Sequence, residues 1–428
     1  MVKFNRFTLD NGLRVLVHED HTTPIAVLNI LYDVGARDED PERTGFAHLF
    51  EHLMFGGSVN IPNYDGPLQR VGGENNAFTS NDITNYYITL PSANIETAFW
   101  LESDRMLSLA FSEKSLEVQR NVVIEEFKQR YLNQPYGDIW LKLRPLVYKT
   151  HPYQWATIGK TIKHIEDARI EDVKAFFKKH YNPQNAIMVV GGDVTTEQVK
   201  QLAEKWFGSI PAGEKYVRNL PQEPAQSEER RETTTGKVPL NDIYIAFQME
   251  ARADASYYPT ELISDILSRG NSSRLYKSLI KDKQLFSEAN AYITGSIDKG
   301  MFVIQGKPLQ GVSMETAEKA LWDELEKIKA EEVPAEELTK VQNKTESTMV
   351  FSEMSLLDKA MNLAYYELLG NANEFNKETA KFLAVTPAQI QQQALKLFRK
   401  ENSSTLVYLA ETAESIDETE LSEAQKLI

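Results

Sequence analysis

Residues 28–57, LNILYDVGARDEDPERTGFAHLFEHLMFGG, run an apolar strand through a turn into a helix, and residues 242–270, DIYIAFQMEARADASYYPTELISDILSRG, repeat that arrangement in the second half of the chain. NAIMVVGGD at 185–193 is likewise answered by STLVYLAE at 404–411. The order is that of a duplication, with one domain per copy. Alternating strands are expected over Ala26–Val34, Thr84–Leu90 and Ile243–Met249, and long amphipathic helices over Ile95–Ala110 and Glu336–Leu369. Strands and helices do not alternate strictly, so the pattern predicts an α+β fold of two homologous domains, each an antiparallel sheet packed with helices, rather than a doubly wound parallel sheet. Between the copies, Pro211 to Pro239 is rich in Pro, Glu, Arg and Thr without apolar periodicity, which reads as a linker. The expected boundaries are 1–213, a linker at 214–237, and 238–428.

The first copy differs from the second in one respect that carries chemistry. His48-Leu49-Phe50-Glu51-His52 places two histidines four apart, on one face of a helix with Cβ atoms about 5–6 Å from each other. Phe46, Ala47, Leu49, Phe50, Leu53, Met54 and Phe55 leave almost no room for a second polar face. Two imidazoles and a carboxylate taken into apolar surroundings need partners, because an isolated buried charge costs several kcal/mol or more. A divalent cation is the natural one; the plain alternative is a chance cluster satisfied by hydrogen bonds. With seven histidines in 428 residues, chance gives roughly 0.01 such strings. H-x-x-E-H is the inverzincin signature. Zinc suits imidazole plus carboxylate, and a catalytic zinc keeps three protein ligands and leaves a position for water, whose pKa falls to about 7. Glu51, beside His52, can reach that water without ligating the metal, which casts it as general base. In the second copy the corresponding positions are Ile263, Ile266 and Leu267, so one metal site per chain is expected.

A third ligand must come from elsewhere. The helical stretch Ser112–Leu132 offers Glu125 and Glu126. Glu125 has Asn121, Lys128 and Gln129 as helix neighbours, whereas Glu126 sits over Val122 and Val123 and beside Phe127, on the side expected to pack inward. Register favours Glu126 as ligand, but it leaves open an ordinary ion pair with Arg130 at i+4.

GFAHLFEHLMFGGS, followed by RNVVIEEF, resembles the pitrilysin or M16 group of zinc metallopeptidases, which includes insulin-degrading enzyme and the mitochondrial processing peptidase. TLDNGLRVLV, VGARDE, GGENNAFTSNDITNYY, HPYQWATIG and YNPQNAIMVVGGDV also resemble family blocks, in family order. The resemblance spans essentially the whole chain, most strongly residues 4–195. It implies that His48, His52 and Glu126 bind Zn2+, that Glu51 activates the water, and that two halves of LuxS/MPP-like metallohydrolase fold enclose a chamber for peptide substrates. Glu74–Tyr87 reads as a strand pair turned at Ser80-Asn81-Asp82. If its first strand lies at a sheet edge beside the zinc, its free backbone groups can add a peptide as a further strand. The family's Asn-Ala pair for this task falls on Asn76 and Ala77, with Phe78 next; the alternative is that Asn75 and Asn76 are turn residues.

The chain departs from the family in its second half. Relatives usually carry there an arginine and, seven residues on, a tyrosine that hold substrate and tetrahedral intermediate; alignment of SSRLYKSLIKDKQLFSEA puts Ile280 and Ser287 at those places. Arg274 belongs to the neighbouring SSRL block and reads as structural. Loss of a donor to the oxyanion costs on the order of 10² to 10³ in rate, so either the enzyme is weak or a second subunit supplies the pair. Since some bacterial relatives split the task in this way, the resemblance implies that the chain is the H-x-x-E-H subunit of a heterodimer whose homologous partner supplies the Arg/Tyr pair, with a homodimer as the alternative. Gln119 stands where relatives often have a glutamate, two helical turns before Glu126. The other class of function is a non-catalytic scaffold or assembly subunit of the same family with a vestigial zinc site.

Composition sets outer limits. The chain is 42% hydrophobic and 25% charged, ordinary globular material, and too long for one typical core. No apolar run approaches the roughly 18 residues of a membrane span. The start, MVKFNRFTLDNGLRVLV, already reads as a hairpin turned at Asp10-Asn11-Gly12, so a cytoplasmic location is expected, or a periplasmic one if a leader was removed. A net charge of −15 argues against nucleic acid. Without cysteine there are no disulfides or thiolate ligands. His18, His21, His151, His164 and His180 lack partners at ligand spacing and read as structural or exposed.

Overall fold

The computed structural model describes residues 1–411. The chain forms two compact units, one made of Met1–Phe127, His151–Pro221 and Thr345–Lys381, the other of Lys128–Thr150, Gln222–Lys344 and the chain from Phe382 onward. Residues 412–428, the end of the expected second domain, lie outside the described residues.

The first unit holds a six-stranded sheet of β1 (Asn5–Thr8), β2 (Arg14–Glu19), β3 (Ile25–Tyr32), β4 (Glu74–Thr79), β5 (Thr84–Pro91) and β6 (Ala186–Gly192), in the order β1-β2-β6-β3-β5-β4. The second holds β7 (Arg230–Gly236), β8 (Asp242–Gln248), β9 (Phe286–Ile293), β10 (Met301–Pro308) and β11 (Ser403–Ala410), in the order β7-β11-β8-β10-β9. With β1 set aside, the two orders match strand for strand. So do the directions: β2 with β6 and β7 with β11 run parallel, and every other neighbouring pair is antiparallel. The fold is therefore α+β with a duplicated sheet, mostly antiparallel with one parallel pair in each copy. Strand β6 is buried along its whole length and β3 nearly so. Such strands are covered on both faces, which is why their sequences are continuous apolar runs rather than alternating ones.

Helices α1 (Phe46–Leu53), α2 (Ile95–Ser108) and α3 (Glu113–Phe127) belong to the first unit, α4 (Ile139–Val147) and α5 (Tyr257–Ser268) to the second; α6 (Ala335–Ser352) passes from one unit to the other at Thr345, and α7 (Leu356–Leu368) lies in the first. The compact units thus differ from the contiguous division 1–213, 214–237, 238–428. Helix α4, from the first half of the sequence, buries Ile139, Leu143, Leu146 and Val147 and packs on β11, β8 and β7. Its last carbonyls, on Leu146 and Val147, accept from Arg230 Nη1 at 3.1 and 2.6 Å, which supplies partners that the helix end lacks. Helix α7, from the second half, packs on β6, β3 and β2. Leu356 rests there on Gly191 and Gly192; a Cβ on Gly192, at φ +111°, would lie 2.9 Å from Leu356 Cδ2 and 2.2 Å from the Ile25 oxygen. Amphipathicity tells that a helix has an apolar face, not which sheet will cover it.

Two local expectations also change. The expected linker contains β7, whose sequence RRETTTG gives no apolar alternation because it is an edge strand with mostly solvated side chains. On either side of it, 211–229 and 237–239 lack regular structure. The single helix expected over Glu336–Leu369 is two, α6 and α7, broken where Ser355 caps α7 by accepting from the Asp358 N–H.

Candidate metal centre

Helix α1 starts at Gly45, which has φ +88°; a Cβ there would meet the Ile158 carbonyl oxygen at 2.7 Å, so only glycine fits. No side chain at the N-cap satisfies the first N–H groups. The buried Glu39 does so from outside the helix: Gly45 N donates to its Oε2 at 2.9 Å, Ala47 N to its Oε1 at 2.8 Å, and the Trp155 indole N–H to Oε2 at 3.0 Å. Burial pushes this carboxyl up to about 8, and the three N–H groups oppose that shift. The back of α1 is held by aromatic packing, Phe50 lying 4.3 Å from Tyr181 and 5.6 Å from Phe176, centroid to centroid. Phe46, Ala47, Leu49, Phe50, Leu53 and Met54 are all buried.

The other side of α1 carries the polar groups. His48 and His52 stand with ring planes at 88° and Nε2 atoms 3.4 Å apart. Glu126 Oε2, from the last turn of α3, lies 3.6 Å from His48 Nε2 and 3.5 Å from His52 Nε2. Their side chains are 14%, 24% and 18% exposed, so the cluster is reachable from solvent yet largely enclosed. Three lone-pair donors converge on one point. Around a tetrahedral zinc with bonds of about 2.0–2.1 Å, two ligand atoms lie about 3.3–3.4 Å apart, and the observed triangle of 3.4, 3.5 and 3.6 Å has nearly that edge. The donor set fits the ion. Among the described residues this is the one group of three or more His, Asp or Glu side chains close enough to share a metal. Ile263, Ile266 and Leu267, in the matching helix α5, are wholly buried apolar residues.

Glu125 is exposed, as its helix neighbours suggested. Glu126 does not sit over a buried Val122, which is 44% exposed; the inward face of α3 runs through Leu116, Val123, Ile124 and Phe127, and Glu126 stands at its margin. That is why register alone decided little.

Glu51 is half-buried and accepts a hydrogen bond from the Thr79 hydroxyl on Oε2. Burial pushes its carboxyl up, the Thr79 bond and His52 pull it down, and Glu126 pushes it up again. Tyr86 and Tyr181, whose hydroxyls are 3.3 Å apart, are buried and have their ionisation pushed up by that burial, so they stay neutral. Behind Tyr86 lies the fully buried Arg105, which donates to Glu102 at 2.9 and 2.6 Å and stacks 4.4 Å over the Tyr86 ring.

Strand β4 is at the sheet edge and its burial alternates. Asn75, Ala77 and Thr79 are its less exposed side chains, while Glu74, Asn76 and Phe78, the last 39% exposed, face the other way. Asn76 Oδ1 accepts from Ala77 N at 2.8 Å. Asn75 and Asn76 are strand residues; the turn is at 80–83, closed by Ser80 N to the Ile83 oxygen at 2.8 Å. Sequence reading missed Thr79 and Glu39. Strand alternation was a usable signal for Thr79, whereas Glu39 caps a helix from six residues before its N-cap and has no local signature.

Residues 14–137 match the family model described as Insulinase (Peptidase family M16), and residues 167–345 the one described as Peptidase M16 inactive domain. The zinc protease PqqE of Helicobacter pylori is 30% identical over 413 residues, 95% of this chain and 93% of that protein. The chain belongs to the M16 peptidase family. The uncharacterized zinc protease YmxG of Bacillus subtilis is 24% identical over 94% of this chain and 97% of its own length. The crystal structure of a protease from Helicobacter pylori superposes with a TM-score of 0.90 at 28% identity, covering 95% of this chain and all of that one. Among the described residues no helix is long and apolar enough to cross a membrane.

Proposed function

We propose that this M16 chain is a zinc-dependent endopeptidase acting on peptides or unfolded polypeptides, with His48, His52 and Glu126 as metal ligands and Glu51 as general base. The observation that carries the reading is the near-regular triangle of Nε2, Nε2 and Oε2 atoms with a second, partly buried carboxylate beside it. When bound, zinc would supply Lewis acidity and lower the pKa of a water to about 7. Glu51 takes the proton from the attacking water and returns it to the leaving amine. Thr79 occupies one of its oxygens, which leaves Oε1 for that proton. Strand β4, with Asn76, Ala77 and Phe78, receives the substrate backbone as an added strand, displacing the Asn76 amide oxygen from the Ala77 N–H.

The partner is a homologous subunit that brings the Arg/Tyr pair. Supporting this, Ile280 and Ser287 offer neither a cation nor a phenol, and the Ser287 hydroxyl already donates to the Lys307 oxygen at 3.1 Å. A homodimer is the alternative assembly. A scaffold role is the second reading, favoured by the same missing pair. Zinc stoichiometry and peptide cleavage, with and without co-purifying proteins, test all of these. Wild type is expected to hold one zinc, and Glu51→Gln to hold it too but lose turnover. Normal cleavage by Glu51→Gln overturns the general-base assignment; full activity of the isolated chain overturns the heterodimer.

A further inference from the structure

Thr79 lies outside the sequence motif, yet it makes the hydrogen bond that Glu51 has to a neighbouring strand. It is the last residue of β4, paired with Thr84 of β5, and the turn after it is closed by Ser80 N to Ile83 O at 2.8 Å and by the Ser80 hydroxyl, which accepts from Asp82 N at 3.1 Å and Ile83 N at 3.0 Å. Thr84 is itself anchored by its hydroxyl to the Val34 oxygen at 2.9 Å. The Thr79 backbone is therefore fixed on both sides, and a β-branched side chain in a strand has few χ1 choices. Its hydroxyl can only donate to a carboxylate, so it selects Oε2 and holds the Glu51 carboxylate plane.

We infer that Thr79 is a positioning residue for the hydrolytic reaction: it clamps one Glu51 oxygen so that the other faces the metal cluster, and it ties the general base to the edge strand that accepts the peptide. The inference rests on the proposed role of Glu51. A carboxylate freed from this bond still sits on α1 but rotates about its last side-chain torsion, which is broad and loosely held. Productive orientation then becomes a minor population, and substrate affinity is expected to be unchanged because the hydroxyl is taken up by Glu51.

The test uses the complete zinc-loaded chain, with any co-purifying subunit present, as wild type, Thr79→Val, Thr79→Ser and Glu51→Gln. Thr79→Val, isosteric without the hydroxyl, is expected to lose about tenfold to a hundredfold in kcat, the range for losing a hydrogen bond to a charged group. Its KM stays within about twofold and its zinc content at wild type, while Thr79→Ser recovers most of the rate. Thr79→Ala carries the same expectation as valine and serves if valine disturbs folding. Wild-type kcat in the valine or alanine variant overturns the inference, as does loss of zinc together with rate, or failure of serine to restore it. Because Glu51→Gln is assayed alongside, an active Glu51→Gln condemns the general-base reading itself, whereas an inactive Glu51→Gln with a fully active Thr79→Val condemns only the clamp.

Discussion

Acid should destabilise this fold in part through one buried residue, His180. It closes the helix Ile170–His180, is 0% exposed, and neither ring nitrogen has a hydrogen-bond partner. Phe176 and Tyr216 flank the ring, each at 4.7 Å between centroids. Burial, and then the neighbouring Lys179 and Arg218 cations, push its pKa down to about 3, with Asp33 opposing. In the unfolded chain it titrates near 6.5. Between those values the unfolded chain holds a proton that the folded one refuses, so stability is complete above about pH 6.5 and drains away as pH falls toward 3. At pH 4.5 the loss is about 3 kcal/mol, and near pH 3 it reaches about 4. His180→Phe keeps an aromatic ring in an aromatic slot and removes the proton. Urea unfolding followed by tryptophan fluorescence, on metal-free wild type and variant at pH 7.5 and 4.5, isolates the effect, since all other titrating groups cancel in the difference. Wild type should lose about 3 kcal/mol more than His180→Phe over that interval. Equal losses within about 1 kcal/mol would show that the ring finds a proton-accepting partner in the fold, and the reasoning fails.

Glu126→Ala should weaken zinc binding by more than the ten- to hundredfold typical of groups that only support a ligand, about 10² or beyond, as read by competition with a chromophoric chelator. Glu39→Ala strands the Gly45 and Ala47 N–H groups, while the Trp155 indole N–H keeps the Ala36 oxygen at 3.0 Å; with water partly replacing the carboxylate, the expected cost is about 2 kcal/mol in urea unfolding, and less than about 1 kcal/mol would mean that α1 needs no such cap. Ala77→Pro removes an N–H at a sheet edge, where proline is tolerated. The variant should melt within about 2 °C of wild type yet show a KM for peptides at least about tenfold higher, because the substrate strand loses a backbone partner; an unchanged KM would place the peptide elsewhere.

Strong periodicity made much of this protein legible. The repeat of strand and helix announced duplication, and the matched orders of the two sheets bear that out; the strand expected over Ala26–Val34 is there as β3, but it is buried on both faces rather than alternating. Edge strand β7 has no hydrophobic pattern to separate it from a linker, because one face is exposed and the other, beneath α4, is only partly covered and carries polar side chains. The single helix expected over Glu336–Leu369 is two because both pieces are amphipathic and periodicity does not mark the break; the break at Ser355 depends on a cap and on α7 packing against β6 and β3.

Sequence alone determined that two histidines and a glutamate share one helical turn, since 3.6 residues per turn is a local property of the backbone. It also determined, by the plain residues at Ile263, Ile266 and Leu267, that the second copy lacks them. Only the tertiary structure decided that Glu126 on another helix brings its oxygen within 3.6 Å of both imidazoles, that Thr79 grips Glu51, that Glu39 caps α1, and that α4 and α7 serve sheets in the opposite half of the chain. Those are choices of partner across long loops. They are set by which apolar faces and unsatisfied N–H groups meet when the whole chain packs, and no short stretch of sequence contains that information.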